Sequence, residues 1–368
     1  MSKTVKFLVY ADIHHASSAA AHGIFLDDTI SIEKELLTRA FEGGFDFTLF
    51  VGDRFLKREP EDEVKVRADR LFYELYPNYV PHYHLIGNHD WTDNTRKWHT
   101  AESMKSLPNV FVMDQAKTYQ FGDNVFIHAL PADYALDLGK YITNPDGLNI
   151  FVFHDTVNGS YLSEDFDKTI NKEKGITSGD IDRPEFDIVF AGDIHIPQTF
   201  PLKNTIGGYV GSVLQRNRGD SNRERGWIEV EATRVDGKWE FKTEFVPTRN
   251  FFTKVSFKCG PNTKYEDLRI PEEMITNQVV EVRLIGTKEN VDRIASDNRW
   301  ENYETMYLAR KLDIFKAYEI EQSEVVVDMS GSNSMLDDLG MYIKSGFVNL
   351  GNLQAEKLVD IVRQLNRD

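Results

Sequence analysis

Short apolar runs and amphipathic stretches alternate along the first hundred residues. The run VKFLVYA (5–11) reads as a strand, and Ile32, Leu36, Leu37, Ala40 and Phe41 then recur on one helical face over about residues 30–42. Gly43-Gly44 stops that helix, as glycine past a last turn does. A second strand (FDFTLFVGD, 45–53), a charged helical stretch (61–76) and a third strand (PHYHLIGNHD, 81–90) follow. This βαβαβ rhythm predicts parallel strands joined by right-handed crossovers.

Beyond residue 108 the helical signals thin out. Strands succeed one another as NVFVM, NVFIHAL, NIFVFHD, DIVFAGD, GGYVGSV, GWIEVEA and WEFKTEFV. A layered α/β domain with much antiparallel strand in its second half is expected, with a boundary near Pro247–Asn250. The pattern FFTKVSFK, QVVEVRLIG, a helix around 287–297 and KLDIFKAYEI then predicts a small β-β-α-β module. Ser330-Gly331-Ser332-Asn333 reads as a joint. Two amphipathic helices are expected after it, one carrying Met335, Leu336, Leu339 and Ile343, the other Leu358, Ile361, Val362 and Leu365.

The net charge of −16 argues against a protein that coats nucleic acid unaided, because non-specific affinity comes from neutralising phosphates. A partner could supply the basic surface. Cys259 is the only cysteine, so no intramolecular disulfide can form and a reducing cytoplasm is expected. The first apolar run breaks at Asp12 without the pattern of a secretory signal. No apolar stretch approaches the roughly 20 residues that cross a bilayer, so no membrane is expected as a partner.

Five polar islands sit at the ends of apolar runs: Asp12-Ile13-His14, Gly52-Asp53, Gly87-Asn88-His89-Asp90, His154, and Gly192-Asp193-Ile194-His195. Asp and Asn disfavour strand interiors, and the carboxyl ends of parallel strands converge on one rim where ligands bind. Asp12 and His14, two positions apart, would project together from an extended strand. Asp53 has two carboxylate oxygens with which to bridge two ions; Asn88, His154, Asp193 and His195 would complete the set. Mixed carboxylate, amide and imidazole donors suit manganese, iron or zinc rather than calcium. A pair of such ions clamps the attacking and leaving oxygens of a phosphoryl displacement, and His89 is placed to act as general acid.

The ordered set Asp-x-His, Gly-Asp, Gly-Asn-His-Asp, His and Gly-x-x-His resembles the calcineurin-like metallophosphoesterase superfamily over roughly residues 1–245. Within it the chain resembles SbcD-type nucleases, subunits of SbcCD-like DNA repair and recombination complexes, versions of which bacteriophages encode. Tyr209-Val210-Gly211-Ser212 and Arg225-Gly226-Trp227 carry that narrower likeness. The resemblance implies an α/β fold with a layered β-sandwich metallophosphoesterase core and flanking helices (1–248). It further implies a DNA-binding or capping α+β domain (249–329) and C-terminal helices (330–368) that dock on an SbcC-type coiled-coil ATPase. One metal would be held by Asp12, His14, Asp53 and His195, the other by Asp53, Asn88, His154 and Asp193, with His89 as acid or transition-state histidine. Two divalent ions, Mn2+ foremost and Mg2+ as the alternative, are implied. So are 3′→5′ exonuclease activity on duplex DNA ends, endonuclease activity on single strands or hairpins, a homodimer, and a cytoplasmic setting (the host's, for a phage version). One departure stands out. The superfamily usually has Gly-His-x-His, whereas Asp193 offers a harder, charged oxygen here, so the second site should be less suited to zinc and more tolerant of magnesium or manganese.

Two rivals share these observations. A phosphoesterase for a small molecule or a phosphoprotein would use every one of the same ligands, although residues 250–368 would then have no evident task. A scaffold that binds DNA or the ATPase without cutting would differ in metal content, holding one ion or none. Arg216, Arg218, Arg223 and Arg225 form the densest basic stretch, and DNA-phosphate contacts at Arg216 and Arg218 are expected beside the alternative of a solvated loop. His15, His22, His82, His84, His99 and His128 fall outside the islands and are expected on the surface or hydrogen-bonded in the core.

Overall fold

The structure, a computed structural model, describes residues 3–17, 26–161, 170, 175–276, 278–302 and 311–318. His22 and the expected joint and helices of 330–368 lie outside the described residues. The chain opens with β1 (Lys3–Tyr10), α1 (Leu26–Glu42), β2 (Phe47–Phe50), α2 (Asp62–Leu75), β3 (His82–Leu85) and β4 (Val110–Met113). Next come β5 (Lys117–Phe121), β6 (Val125–Leu130), β7 (Leu148–His154), the single turn α3 (Ser178–Ile181), β8 (Ile188–Gly192), β9 (Gln198–Thr199), β10 (Ile206–Tyr209), β11 (Gly226–Val235) and β12 (Lys238–Pro247).

Two six-stranded sheets result, in the orders β12-β11-β1-β2-β3-β4 and β5-β6-β7-β8-β10-β9. Strand alternation explains why they pack into layers. Val5, Phe7 and Val9 of β1 face Ile150, Val152, Ile188 and Phe190 of the second sheet. Leu8 and Tyr10 turn the other way, onto Ile32, Leu36, Leu37 and Ala40 of α1 and Phe72 of α2. Strands buried on both faces read as continuous apolar runs, as these do. Phe41, expected on the inner face of α1, is 45% exposed; Thr29 and Glu33 are buried there instead.

The second sheet departs from the antiparallel expectation. Its centre, β6-β7-β8-β10, is parallel, and antiparallel pairs are confined to β5-β6 and β9-β10. The long connections 131–147 and 155–187 return the chain to the same end of the sheet, as parallel pairing requires. In the first sheet β1 to β4 are parallel, and β11 and β12 add antiparallel at one side.

After β12 come β13 (Phe252–Cys259), β14 (Val279–Gly286), α4 (Lys288–Ala295) and β15 (Lys311–Tyr318). The three strands form a separate parallel sheet over a core of Val280, Val282, Leu284, Val291, Ile294 and Trp300. Phe251, Phe252 and Val279, at the root of this module, pack into the helix-side core of the larger sandwich. Among the described residues no helix is long and apolar enough to cross a membrane.

Candidate metal centre

His154 is the last residue of β7, and the ligand residues of the other four polar islands lie in turns just beyond the strands. β1 ends at Tyr10, and Asp12 and His14 follow in left-handed conformations with φ of 53° and 50°, so they do not project from an extended strand as expected. Asp53 (φ 63°) and Asp193 (φ 88°) are left-handed as well. Such backbone costs on the order of 1 kcal/mol or more per residue and persists only where its surroundings fix it. The fixing contacts are present. Asp12 N–H donates to the Gly52 carbonyl (3.0 Å), His14 N–H to that of Asp53 (3.1 Å) and His15 N–H to that of Arg54 (2.7 Å), which zips two of the turns together. Buried Asp90 accepts from the N–H groups of Asp53 (3.0 Å), Arg54 (3.1 Å) and Gly87 (2.9 Å), tying the second turn to the third. The motif glycines have a steric origin: a Cβ on Gly52 would overlap the His154 ring, and one on Gly87 the Asp53 carboxylate.

Asp53 lies at the middle of the cluster. Its Oδ2 faces His14 Nε2 (3.6 Å) and His89 Nε2 (4.0 Å), while its Oδ1 faces His154 Nε2 (3.4 Å). Asp12 Oδ1 stands 3.9 Å from His14 Nε2 and 4.0 Å from His195 Nε2, and those two imidazole nitrogens are 3.0 Å apart. Asn88 Oδ1 is 3.1 Å from His154 Nε2. Three overlapping triads, Asp12-His14-His195, His14-Asp53-His89 and Asp12-Asp53-His154, each place three ligand atoms within 4.8 Å of one another. The Nδ1 atoms of His14, His89 and His154 face the carbonyls of Phe55 (3.4 Å), Leu56 (2.6 Å) and Val51 (2.7 Å). With Nδ1–H donating there, the rings present Nε2 to the cluster. Burial would lower the His154 imidazole, but Asp53, Asp12 and Asp193 outweigh it and hold it well above its ordinary range until a cation takes the proton's place.

This donor set fits divalent cations. Asp12 Oδ2 is buried with no hydrogen-bond partner among the described residues. The Asn88 amide oxygen faces acceptors; without a cation the amide would turn over and aim its NH2 at Asp53 and His154. Buried acceptors facing one another are costly unless a positive charge lies between them. Burial, opposed by His154 but reinforced by Asp53 and Asp193, holds the Asp12 carboxyl well above the usual carboxylate range. Burial would raise Asp53 too, but the His154 ring, then His14 and His89, outweigh it and hold that carboxyl low. Burial pushes His14 well down and His195 down to about 4, so both rings are neutral ligands near pH 7. The side chains of His195 (37% exposed) and His89 (39%) mark the open side.

Of the residues expected in the site, Asp12, His14, Asp53, Asn88, His89, His154 and His195 meet. Asp193 is in none of the triads; its backbone N–H donates to Asp12 Oδ1 (3.3 Å). Arg216 is buried, and its guanidinium donates to the carbonyls of Ile13 (3.0 Å) and His14 (3.3 Å), a hold on the ligand turn that its basic stretch gave no reason to expect. Arg218 begins the short helix Arg218–Asp220, and its side chain lies outside what the structure describes. His15, His82, His84, His99 and His128 are all buried, none on the surface. Sequence reasoning missed Asp90, Glu33 and Arg54 as supports. Asp90 was visible as the last letter of Gly-Asn-His-Asp; Glu33 gave no signal.

The profile of the calcineurin-like phosphoesterase family matches residues 5–197. No curated protein sequence matches the chain. Among solved structures the chain is similar to a dimetal phosphatase from Danio rerio, at 10% identity over 66% of this chain and 98% of that one, with a TM-score of 0.39. It is similar to a purple acid phosphatase from yellow lupin (Lupinus luteus) at 14% identity over 67% and 52% of the two chains, TM-score 0.40. A novel archaeal phosphodiesterase is similar at 10% identity over 66% and 100%, TM-score 0.32. These likenesses are too loose to bear on substrate.

Proposed function

The chain belongs to the calcineurin-like phosphoesterase family, and from that premise we propose that it is the metal-dependent nuclease subunit of an SbcCD-like DNA repair or recombination complex. The observation that carries phosphoester hydrolysis is the two-sided placement of Asp53, with His14 and His89 at one oxygen and His154 at the other. Asp12, His14 and His195 with Asp53 would hold one divalent ion, and Asp53, Asn88 and His154 the other, with Asp193 beside them. Manganese is the proposed metal. When bound, such ions neutralise phosphoryl oxygens and acidify water.

The chain's own groups do the rest. Asp12, Asp53 and the neutral rings of His14 and His195 fix where the phosphodiester can sit. The Leu56 carbonyl keeps a proton on His89 Nδ1, so a second proton taken up at Nε2 would be available to the departing 3′ oxygen. DNA as substrate is supported by the Tyr209–Ser212 and Arg225–Trp227 motifs and by a separate α+β module that small-substrate hydrolysis would not need. An SbcC-type ATPase partner for 330–368, a homodimer and a cytoplasmic setting belong to the same proposal.

The test compares manganese-dependent hydrolysis of duplex DNA, single-stranded DNA, a generic phosphodiester and a phosphomonoester, with and without the ATPase. Cleavage of DNA well above the generic diester, stimulated by the ATPase, is expected. Activity confined to the monoester would establish the small-molecule reading instead.

A further inference from the structure

The loop between β10 and β11 touches both the ligand turns and the small α+β module. Gln215, buried, accepts at Oε1 from the N–H groups of Phe251 and Phe252 (both 2.7 Å), at the root of β13. Its Nε2 donates to the carbonyls of Asp220 (2.9 Å) and Arg223 (3.0 Å) and to Asn250 Oδ1 (3.2 Å). The next residue is Arg216, whose guanidinium holds the Ile13 and His14 carbonyls. Asp220 stiffens the loop between them: Oδ2 accepts from Arg216 N–H (2.7 Å) and Oδ1 from Arg225 Nη2 (2.6 Å).

Two features make this more than packing. A buried guanidinium ordinarily spends its donors on a carboxylate; here two go to main-chain carbonyls of the turn that carries Asp12 and His14. That turn is left-handed at both ligand positions, so it needs an external hold. Gln215 and Arg216 are consecutive, so β13 cannot shift without pulling on the residue that grips the turn. Contiguous hydrogen-bond networks are one physical route by which two sites can be coupled.

We propose that Arg216 is a positioning residue for the Asp12–His14 turn, and that Gln215 makes its placement depend on the seat of β13, so that the α+β module sets the geometry of the metal centre. This rests on the reading of the rim as a metal centre. The experiment is titration of the full chain with Mn2+, read by binding isotherms and by the electron paramagnetic resonance signature of coupled ions. Arg216→Lys keeps a charge but loses the planar fork whose two Nη donors reach the two carbonyls. Gln215→Met removes the link to β13 without touching the turn. Each should weaken manganese binding about 10–100-fold, the usual size for a group that orients a ligand. Ile294→Ala, in the module's own core, should lower stability and leave manganese affinity unchanged. Should Gln215→Met unfold the chain, Gln215→Lys keeps a donor for the Asp220 and Arg223 carbonyls, loses the acceptor for Phe251 and Phe252, and should show the same weakening. Wild-type affinity in the Gln215 variants would overturn the coupling, and in Arg216→Lys the positioning role. A wild-type chain that binds no manganese pair would overturn the metal-centre reading itself, and this inference with it.

Discussion

Consecutive residues feed two buried polar clusters of opposite character. His14 and Asp53 point into the ligand set; His15 and Arg54, one position on, point into a network with Glu33. In that network His15 bonds Thr29 Oγ1 (2.7 Å) and Glu33 Oε2 (2.8 Å), Tyr10 donates to Glu33 Oε1 (3.3 Å), and Arg54 pairs with Glu33 (3.7 Å) and Asp69 (2.6 Å). Burial pushes the Glu33 carboxyl up, but Arg54 and His15 outweigh it and hold it down at about 2. Charge is matched within the network. In the ligand set an orphaned Asp12 oxygen, an amide oxygen among acceptors and two opposed imidazole nitrogens leave it unmatched. Buried polarity alone says little; buried polarity without a counter-charge indicates what must come from outside.

The sharpest way to break this contrast is Asp53→Asn, which removes the carboxylate whose two oxygens face His14 and His89 on one side and His154 on the other. Phosphodiester hydrolysis should fall about 10³-fold, on the order of 4 kcal/mol of barrier, and metal analysis should find fewer than two ions per chain. Undiminished activity would place the chemistry elsewhere. His89→Gln should lower the same rate about 10²–10³-fold while metal content stays at two, because the proton donor and not the ligand set is lost. Loss of metal together with activity would make His89 a ligand.

On the matched side, Glu33→Gln leaves the buried Arg54 short of a counter-charge and should cost about 3 kcal/mol of stability at neutral pH, read by denaturant unfolding. Glu33 sits at about 2 when folded against an ordinary 4.5, so its contribution is present above 4.5 and fades as pH falls through 2. The gap between wild type and Glu33→Gln should therefore close over that window; a gap independent of pH would deny the ion pair. The smallest effect is expected from Asp193→His. It should move metal preference toward zinc by about tenfold or less, roughly 1.4 kcal/mol, measured by competition between zinc and manganese.

Strand positions and the ligand islands were legible because each island interrupts an apolar run with residues that strands disfavour. VKFLVYA, FTLFV, YHLI, NIFVF and DIVFA coincide with β1, β2, β3, β7 and β8. What was illegible has physical causes. Period counting assigns Glu33 to solvent, although its helical face is buried and its partners come from distant turns. The left-handed backbone of Asp12 and His14 is imposed by contacts with Gly52 and Asp53, far along the chain. β5 (KTYQF) was missed because its residues are only half buried or exposed, which weakens alternation. Arg216 sat in a basic stretch, and only its burial separates a brace from a surface contact.

Anomalous scattering from crystals grown with Mn2+ addresses the unmatched cluster most directly. Two manganese peaks should flank the Asp53 carboxylate, one toward Asp12, His14 and His195, the other toward Asn88 and His154. Manganese absent from that rim, with the Asn88 NH2 turned onto Asp53 and His154, would contradict the metal centre.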